Sequence, residues 1–414
     1  MVYAGNAGTS FDARTMDALW TRLEPLITPE CPFGETPPIA RPASWVRPEL
    51  VCEGKFAEWT REGRLRAPVF LGLRPDLDPF EAVREGGAKE PPGPARNLPR
   101  LPLPGGTADE ATLDIAGRTL RFTNLDKVFY PREGYRKRDL VTYYDAAAGL
   151  ILPHLENRPL SLKRCPGGIE GEFFFQKDIG EKHPKWLRIE RVMPEHRGAP
   201  IRQVIAGDRA TLLYLANLGC IDENPWMSRA GSLDYPGFVL IDLDSQVASF
   251  DRIVEAALVV RRLLDRIGLA GYPKTTGGGG MHVYIPVEPR YTFEQTRGFA
   301  EIPAALAVRQ NPELFTTPRS VAKRQKGKVC FDYLQNGCGK TVSCVYSPRA
   351  RPGAPVATPL DSREVKRGLT PEEFNIRTVL PRFEKTGDLF RPVLEKRQAL
   401  EPAIERLKAL VNKP

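Results

Sequence analysis

Cysteine and histidine are scarce in this 414-residue chain, which has seven Cys and four His. No two cysteines form a C-x-x-C pair. The densest group, Cys330, Cys338 and Cys344, is spaced eight and six apart. That spacing excludes zinc fingers and ribbons. An odd, irregular set of cysteines also excludes a disulfide scaffold, leaving buried, reduced thiols in a cytosolic protein as the expectation. Long apolar runs are missing too. None approaches the roughly 20 residues that a membrane span requires, and no N-terminal stretch has the layout of a signal peptide. A cytoplasmic location with no membrane partner is expected.

Charge and proline are abundant. The net charge is +9, unevenly spread: residues 1–90 carry 11 Lys and Arg against 14 Asp and Glu, and the remainder 49 against 37. The larger, basic part is the expected partner of a polyanion. Pro91 to Gly106 holds six prolines and three glycines in sixteen residues, too many for a helix or a central strand. It reads as a stiff linker between domains at 1–90 and 111–390, with a helical tail at 391–414.

The strongest chemical signal is a split acidic site. Asp242-Leu243-Asp244 closes the apolar run that starts at Gly237, and Asp332 closes a second run from Lys328. Between them, Thr275-Thr276 and four glycines, Gly277 to Gly280, lead through Met281-His282 into a third run. Side chains alternate along a strand, so Asp242 and Asp244 share a face. Paired carboxylates are costly without a cation between them, and hard oxygen ligands suit magnesium or manganese. A third carboxylate from a neighbouring strand allows two ions roughly 3.5–4 Å apart, the spacing used for in-line nucleotidyl transfer. Glycines let backbone N–H groups approach phosphate oxygens, and His282 is placed to donate to one.

The rest of the pattern is coarse. Residues 1–90 suggest short strands of a small barrel with one helix near Asp12 to Leu23. After the linker, strands and helices alternate. Helices are expected over Arg138–Leu155, over Phe250–Ile267 between Ser249 and Gly268, over Thr292–Gln310, and from Pro371 onward. The fold class is mixed α/β with the acidic residues at sheet edges.

From about residue 112 to 390 the chain resembles the polymerase domain of bacterial DNA ligase D, of the archaeo-eukaryotic primase superfamily. The matching stretches keep family order: Leu120–Pro131, Arg158–Arg164, Phe173–Lys177, Asn224-Pro225-Trp226, Val239–Asp244, Thr275–His282, Lys328–Asn336 and Tyr346–Arg349. The resemblance implies a primase-like fold with mixed and antiparallel sheets flanked by helices. Residues 2–12, 47–51, 56–60 and 72–76 resemble the C-terminal OB-fold domain of an ATP-dependent DNA ligase, implying a small OB-type β-barrel. No K-x-D-G adenylation motif occurs, and the last ligase motif, usually R-x-D-K, reads Arg74-Pro75-Asp76-Leu77. Residues 1–90 are therefore expected to be a truncated ligase remnant that cannot seal nicks alone.

The resemblance implies roles residue by residue. Asp242, Asp244 and Asp332 would be the catalytic, metal-binding carboxylates for two Mn2+ or Mg2+ ions. Thr276, Gly277, Gly280, His282, Asn224, Lys340 and Arg349 would bind the incoming NTP or dNTP. Asn124, Lys127 and Lys137 would grip the 5′-phosphate of a DNA gap or end. Phe174, Phe175 and Arg164 would meet the template, although one ring of Phe173–Phe175 is expected in the core. The implied function is template-directed nucleotide addition at gaps and double-strand breaks in bacterial non-homologous end joining, with Ku and a ligase as partners and a nucleoid-associated location. Departures are Asn224 where the family often has His, Gly279 where it often has a bulkier residue, and Lys323–Lys326 in place of an Arg before G-K. Two rival readings are a non-catalytic end-bridging module and an ATP-dependent ligase.

Overall fold

The structure is a computed structural model of the whole chain. It describes residues 3–6, 13–33, 37, 43–56, 60, 64–66, 68–74, 101–103, 108–193, 199–245, 248–318 and 324–411. The chain divides into two compact units, Met1–Pro91 and Pro92–Pro414.

The first unit has helix α1 (Ala13–Leu23) and strands β1 (Ile27–Thr28), β2 (Trp45–Val46), β3 (Cys52–Lys55) and β4 (Val69–Leu73). β1 pairs with β2 and β3 with β4, both antiparallel. Among the described residues these ladders stay separate and no closed barrel forms, unlike the barrel expected above. The strands are only two to five residues long, too short to hold a barrel's hydrogen-bond circuit among themselves. Residues 57–59 of one expected strand, and 75–77 of the last ligase-type motif, lie outside the described residues. Met16 and Trp20, one helical turn apart on α1, are both about half exposed.

The second unit opens with the hairpin β5 (Ala111–Ile115) and β6 (Arg118–Phe122) and a short pair, β7 (Val128–Tyr130) and β8 (Tyr135–Arg136). Helix α2 (Lys137–Leu155) follows. It starts one residue before the expected Arg138 because the Asp139 carboxylate accepts the Arg136 backbone N–H at 2.7 Å, closing a capping arrangement. Then come β9 (Leu160–Arg164), β10 (Phe174–Gln176), β11 (Ile189–Val192), β12 (Ile201–Val204), α3 (Arg209–Asn217) and β13 (Cys220–Pro225). Strands β10, β9 and β13 form an antiparallel sheet in that order.

The second half contains β14 (Phe238–Asp244), α4 (Phe250–Ile267), β15 (Tyr272–Thr275), β16 (Met281–Pro286), α5 (Phe293–Gln310), β17 (Phe315–Thr316) and β18 (Val329–Asp332), then α6 (Val379–Thr386), α7 (Pro392–Glu395) and α8 (Glu401–Val411). Its five-stranded sheet runs β15-β16-β14-β18-β17, antiparallel except for the last pair. Gly268 ends α4 in the left-handed region (φ 75°), its N–H turned back to the helix carbonyls. Thr292 and Gln295 form a reciprocal capping box on α5.

Alternation along the sheet strands fixes the site. Val239, Ile241 and Leu243 of β14, Met281, Val283 and Ile285 of β16, and Val329 and Phe331 of β18 pack with α4 and α5 in one apolar cluster. Leu400, Ala403 and Leu407 of the α8 region belong to the same cluster. Each such fully buried side chain stabilises by roughly 1.5–3 kcal/mol, so a one-residue slip would expose the whole set. The opposite parity, Phe238, Leu240 and Tyr284, joins the other cluster with α2, α3 and β9. Asp242, Asp244, His282 and Asp332 share that second parity and lie on the side away from α4 and α5.

Candidate active site

Ladder register sets four side chains in one row. Lys274 on β15 stands opposite His282 on β16, His282 opposite Asp242 on β14, and Asp242 opposite Asp332 on β18. Directly opposed residues point to the same face. Asp244, two along from Asp242, stands opposite Cys330. The row opens gradually: Lys274 is fully buried, while the Asp244 side chain is 44% exposed.

Electrostatics run along the same row. His282 Nε2 lies 3.4 Å from Asp242 Oδ1, while its buried Nδ1 has no hydrogen-bond partner. Burial, reinforced by Lys274, lowers the His282 pKa against the opposing pull of Asp242, which favours neutral imidazole. Burial alone would raise Asp242, but His282, Lys274 and Arg324 outweigh it and hold the carboxyl below its usual range. Lys274 Nζ is buried without a hydrogen-bond partner, and burial, then Arg349, pushes its pKa down to about 7. Arg324 donates to Asp244 Oδ2 at 3.0 Å, so within the Lys323–Lys326 stretch, of which Lys323 lies outside the described residues, Arg324 meets a carboxylate. Among the described residues no three His, Cys, Asp or Glu side chains are gathered into a ready metal cage. Asp244 is turned to Arg324, and Asp242 faces His282.

The glycine loop is tied at its base. Thr276 N–H donates to the Gly280 carbonyl (3.1 Å), and Thr276 Oγ1 accepts from Gly280 N–H (3.3 Å). Gly277 has φ +66°, and a Cβ there would come 2.5 Å from Arg349 Cγ. A Cβ on Gly280 would meet the Leu243 carbonyl oxygen at 2.7 Å, whereas one on Gly279 would meet nothing closer than Ser245 O at 3.5 Å. Gly277 and Gly280 are therefore sterically required and Gly279 is not. An open cleft of about 640 Å³ borders Gly277–Gly279 together with Arg132 and Arg351.

Arg349 links this loop to the other sheet. Its Nη1 donates to the Thr276 carbonyl at 2.8 Å, and its Nε lies 2.9 Å from Oδ2 of buried Asp222 on β13. Asn224, also on β13, donates to the Asp222 carbonyl at 3.0 Å and is buried. The Lys340 ammonium donates to the Leu334 carbonyl.

A second group of cations sits at the start of α2. Lys137, its first residue, donates from Nζ to the Thr123 carbonyl at 2.6 Å, and Lys127 Nζ donates to Pro166 O at 2.8 Å. Burial pushes the Lys137 pKa down to about 8, Lys127 and Arg164 adding to the shift and Asp109 opposing it. Asn124 adopts φ 53° beside them and turns the chain. The structure thus brings Lys127, Lys137 and Arg164 into one electrostatic neighbourhood. Arg164 donates to Leu218 O and Gln176 Oε1, and its guanidinium lies over the Phe174 ring at 5.2 Å. Phe173, Phe174 and Phe175 are all 46–57% exposed. This corrects the expectation of one core ring. β10 is an edge strand, and Phe173 packs instead against Phe175 and under Lys163.

Sequence reasoning missed Lys274, Asp222 and the third exposed ring, Phe173. For Lys274 the signal was present: it precedes the Thr275–His282 loop directly, in a strand that must pair with the one carrying His282. Of the thiols, Cys165, Cys220, Cys330 and Cys344 are buried, but Cys52 and Cys338 are exposed.

Comparison with known proteins shows the family. The chain is 32% identical over 411 residues to the multifunctional non-homologous end joining protein LigD of Pseudomonas aeruginosa, covering 98% of this chain and 47% of that protein. It is 36% identical over 270 residues to the bifunctional LigD of Bacillus subtilis, covering 65% and 43%. The chain thus spans about half the length of the curated relatives it matches. Among solved structures, the polymerase domain of Mycobacterium tuberculosis ligase D in complex with DNA superposes with a TM-score of 0.62 at 29% identity, covering 67% of this chain and 98% of that one. The model of the ATP dependent DNA ligase C terminal region matches residues 1–77. The model described as "LigD, primase-polymerase domain" matches residues 136–390, and the chain belongs to that family.

Proposed function

We propose that this chain is a template-directed nucleotidyltransferase that adds NTPs or dNTPs to DNA 3′ ends at gaps and breaks during non-homologous end joining. The observation that carries this reading is the row His282–Asp242–Asp332, with Asp244 beside it, facing away from the helical layer next to a sterically obligate glycine loop. Three carboxylates of hard oxygen chemistry on one face fit divalent magnesium or manganese. Bound there, two such ions would supply charge neutralisation of the triphosphate and activation of the primer 3′-OH.

The chain's own residues do the positioning. With no Cβ at Gly277 and Gly280, the loop can turn its Gly277–Gly279 backbone N–H groups to phosphate oxygens, while the Gly280 N–H is held by Thr276 Oγ1. Arg349, anchored by Asp222, holds the loop at Thr276 and offers its charge to the same phosphates. His282, kept neutral, has a single N–H; directed from Nε2 to Asp242, it leaves Nδ1 as an acceptor in the site. Arg324 neutralises Asp244 while no cation is bound and must turn aside when one is. Asn124, Lys127 and Lys137 would take a DNA 5′-phosphate at the N-terminus of α2, and the exposed Phe174 and Phe175 would stack on template bases, each worth roughly 1–3 kcal/mol.

The proposed organisation keeps 1–90 as a ligase-type segment, 91–110 as linker, 111–390 as the polymerase and 391–414 as a helical tail. Duplex DNA with a 5′-phosphate, Ku and a ligase are the proposed partners. Among the described residues no helix is long and apolar enough to cross a membrane.

Asp242→Ala and Asp332→Ala should each lower primer extension by at least about 10²-fold while leaving gap binding within about threefold of the parent. Extension and electrophoretic mobility measured on the same substrate decide it. Unchanged extension in both variants removes the site assignment.

A further inference from the structure

A third cation cluster uses residues of neither site described above. Arg158, just before β9, is 5% exposed. Among the described residues only its Nη1 makes hydrogen bonds, to the carbonyls of Trp226 (3.0 Å) and Ser228 (3.3 Å), while the guanidinium lies over the Phe238 ring at 5.3 Å. It lines a partly open cavity of about 130 Å³ together with Arg229, Arg397, Ser232 and Tyr235. Arg229 donates to the Glu156 carbonyl, and Arg397 to the carbonyls of Leu394 and Lys396. Among the described residues none of the three arginines has a carboxylate ion-pair partner; every acceptor they meet is a neutral carbonyl.

Three guanidinium groups around one small cavity are an unbalanced arrangement. Each carries five N–H donors, and most of these are unused here. Burial, then the charge of Arg229, with Arg397 adding to it, pushes Arg158 down to about 9. Arg229 is likewise lowered, by burial and by Arg397, against the opposing pull of Glu156. Buried charge without a counter-charge is unfavourable, and an oxyanion in the cavity would relieve it with charge-assisted bonds.

We propose that this cavity binds a small free oxyanion of the phosphate class, held by Arg158, Arg229 and Arg397. The space is sufficient for one tetrahedral oxyanion. It is distinct from the proposed nucleotide and 5′-phosphate sites. Gly237, which lines the cavity, begins the run whose other end carries Asp242, roughly 17 Å away at about 3.3 Å per residue. Arg158 and Arg164 stand at opposite ends of β9. The bound ion would join three segments: the entry to β9, the loop after β13, and the chain just after α7, a helix packed on the His282 strand.

The inference does not depend on polymerase activity, and its test does not measure any. The full chain is melted, and titrated calorimetrically, with sodium phosphate against sodium chloride at matched ionic strength. Phosphate should raise the melting temperature saturably where chloride does not. Arg397→Gln, at an exposed position, should weaken phosphate binding about tenfold, and Arg229→Gln similarly. Lys137→Gln and His282→Ala should retain the parent affinity, and unlabelled gapped DNA should fail to displace the ion. An equal effect of chloride, a parent-like affinity in both arginine variants, or displacement by gapped DNA would each overturn the proposal, the last by making the ligand a nucleic-acid phosphate.

Discussion

Gly279 and Gly280 are neighbours in one loop, yet their surroundings assign them different fates. The Gly280 position lies against the backbone carbonyl of Leu243, which cannot yield, whereas a Cβ at Gly279 would make only an ordinary contact with Ser245 O. Gly280→Ala should therefore weaken triphosphate binding about tenfold or more, as expected when roughly 1–3 kcal/mol of backbone strain enters a site. Gly279→Ala should stay within about threefold of the parent. Fluorescence titration with a labelled nucleotide compares them, and equal losses would contradict the cradle. This also explains how the Gly279 position can carry a bulkier residue in the family.

Lys137 gives a prediction in pH. Its folded pKa, about 8, lies below its ordinary value of 10.5 because burial, Lys127 and Arg164 disfavour the charge more than Asp109 supports it. For stability, the folded state declines a proton that the unfolded chain accepts, so the contribution is full above pH 10.5 and is lost as pH falls towards 8. For binding, the charged form holds phosphate and empties as pH rises through 8. Preference for a 5′-phosphorylated over a 5′-hydroxyl gap should fall between pH 7 and 9.5, and Lys137→Arg should flatten that fall. A pH-independent preference in the parent would take Lys137 out of the pocket.

At the scale of elements, the carboxylate row depends on which parity of β14, β16 and β18 is buried by α4, α5 and α8. The last helix is structural in this sense: Leu407 is 1% exposed and packs in the cluster beneath the carboxylate strands. Leu407→Ala should cost roughly 2–5 kcal/mol, read as a lowered denaturant midpoint. A loss under 0.5 kcal/mol would show that α8 is dispensable to the sheet.

Most of this layer was legible in the sequence. The D-x-D spacing placed Asp242 and Asp244 on one face, and Ser249, Gly268 and Thr292 marked helix ends where helices do start and stop. What pairs with what was not legible, because register is a long-range property. Nothing local says that Arg324 rather than Lys326 reaches Asp244, or that Asp222 anchors Arg349 across two sheets. Hydrophobicity alone also misled at Phe173–Phe175, where an edge strand leaves three rings in solvent. The short strands of the first unit alternated like those of a barrel, but among the described residues they form two isolated ladders.

For the whole molecule, the basic excess resolves into separate clusters with different work. Lys127, Lys137 and Arg164 stand beside exposed aromatic rings, as nucleic-acid recognition requires. Arg349 and Arg324 serve the glycine loop and the carboxylates. Arg158, Arg229 and Arg397 enclose a cavity of their own. Net charge alone separates none of these; the partners of each guanidinium and ammonium group do. The central claim is catalytic, and primer extension on a one-nucleotide gap with a 5′-phosphate, supplied with manganese and either UTP or dTTP, tests it most directly. Metal-dependent, template-matched extension is predicted, and the UTP-to-dTTP ratio would report the effect of Asn224. No extension, with tight binding to the same phosphorylated gap, would contradict the account and leave a DNA end-bridging module in its place.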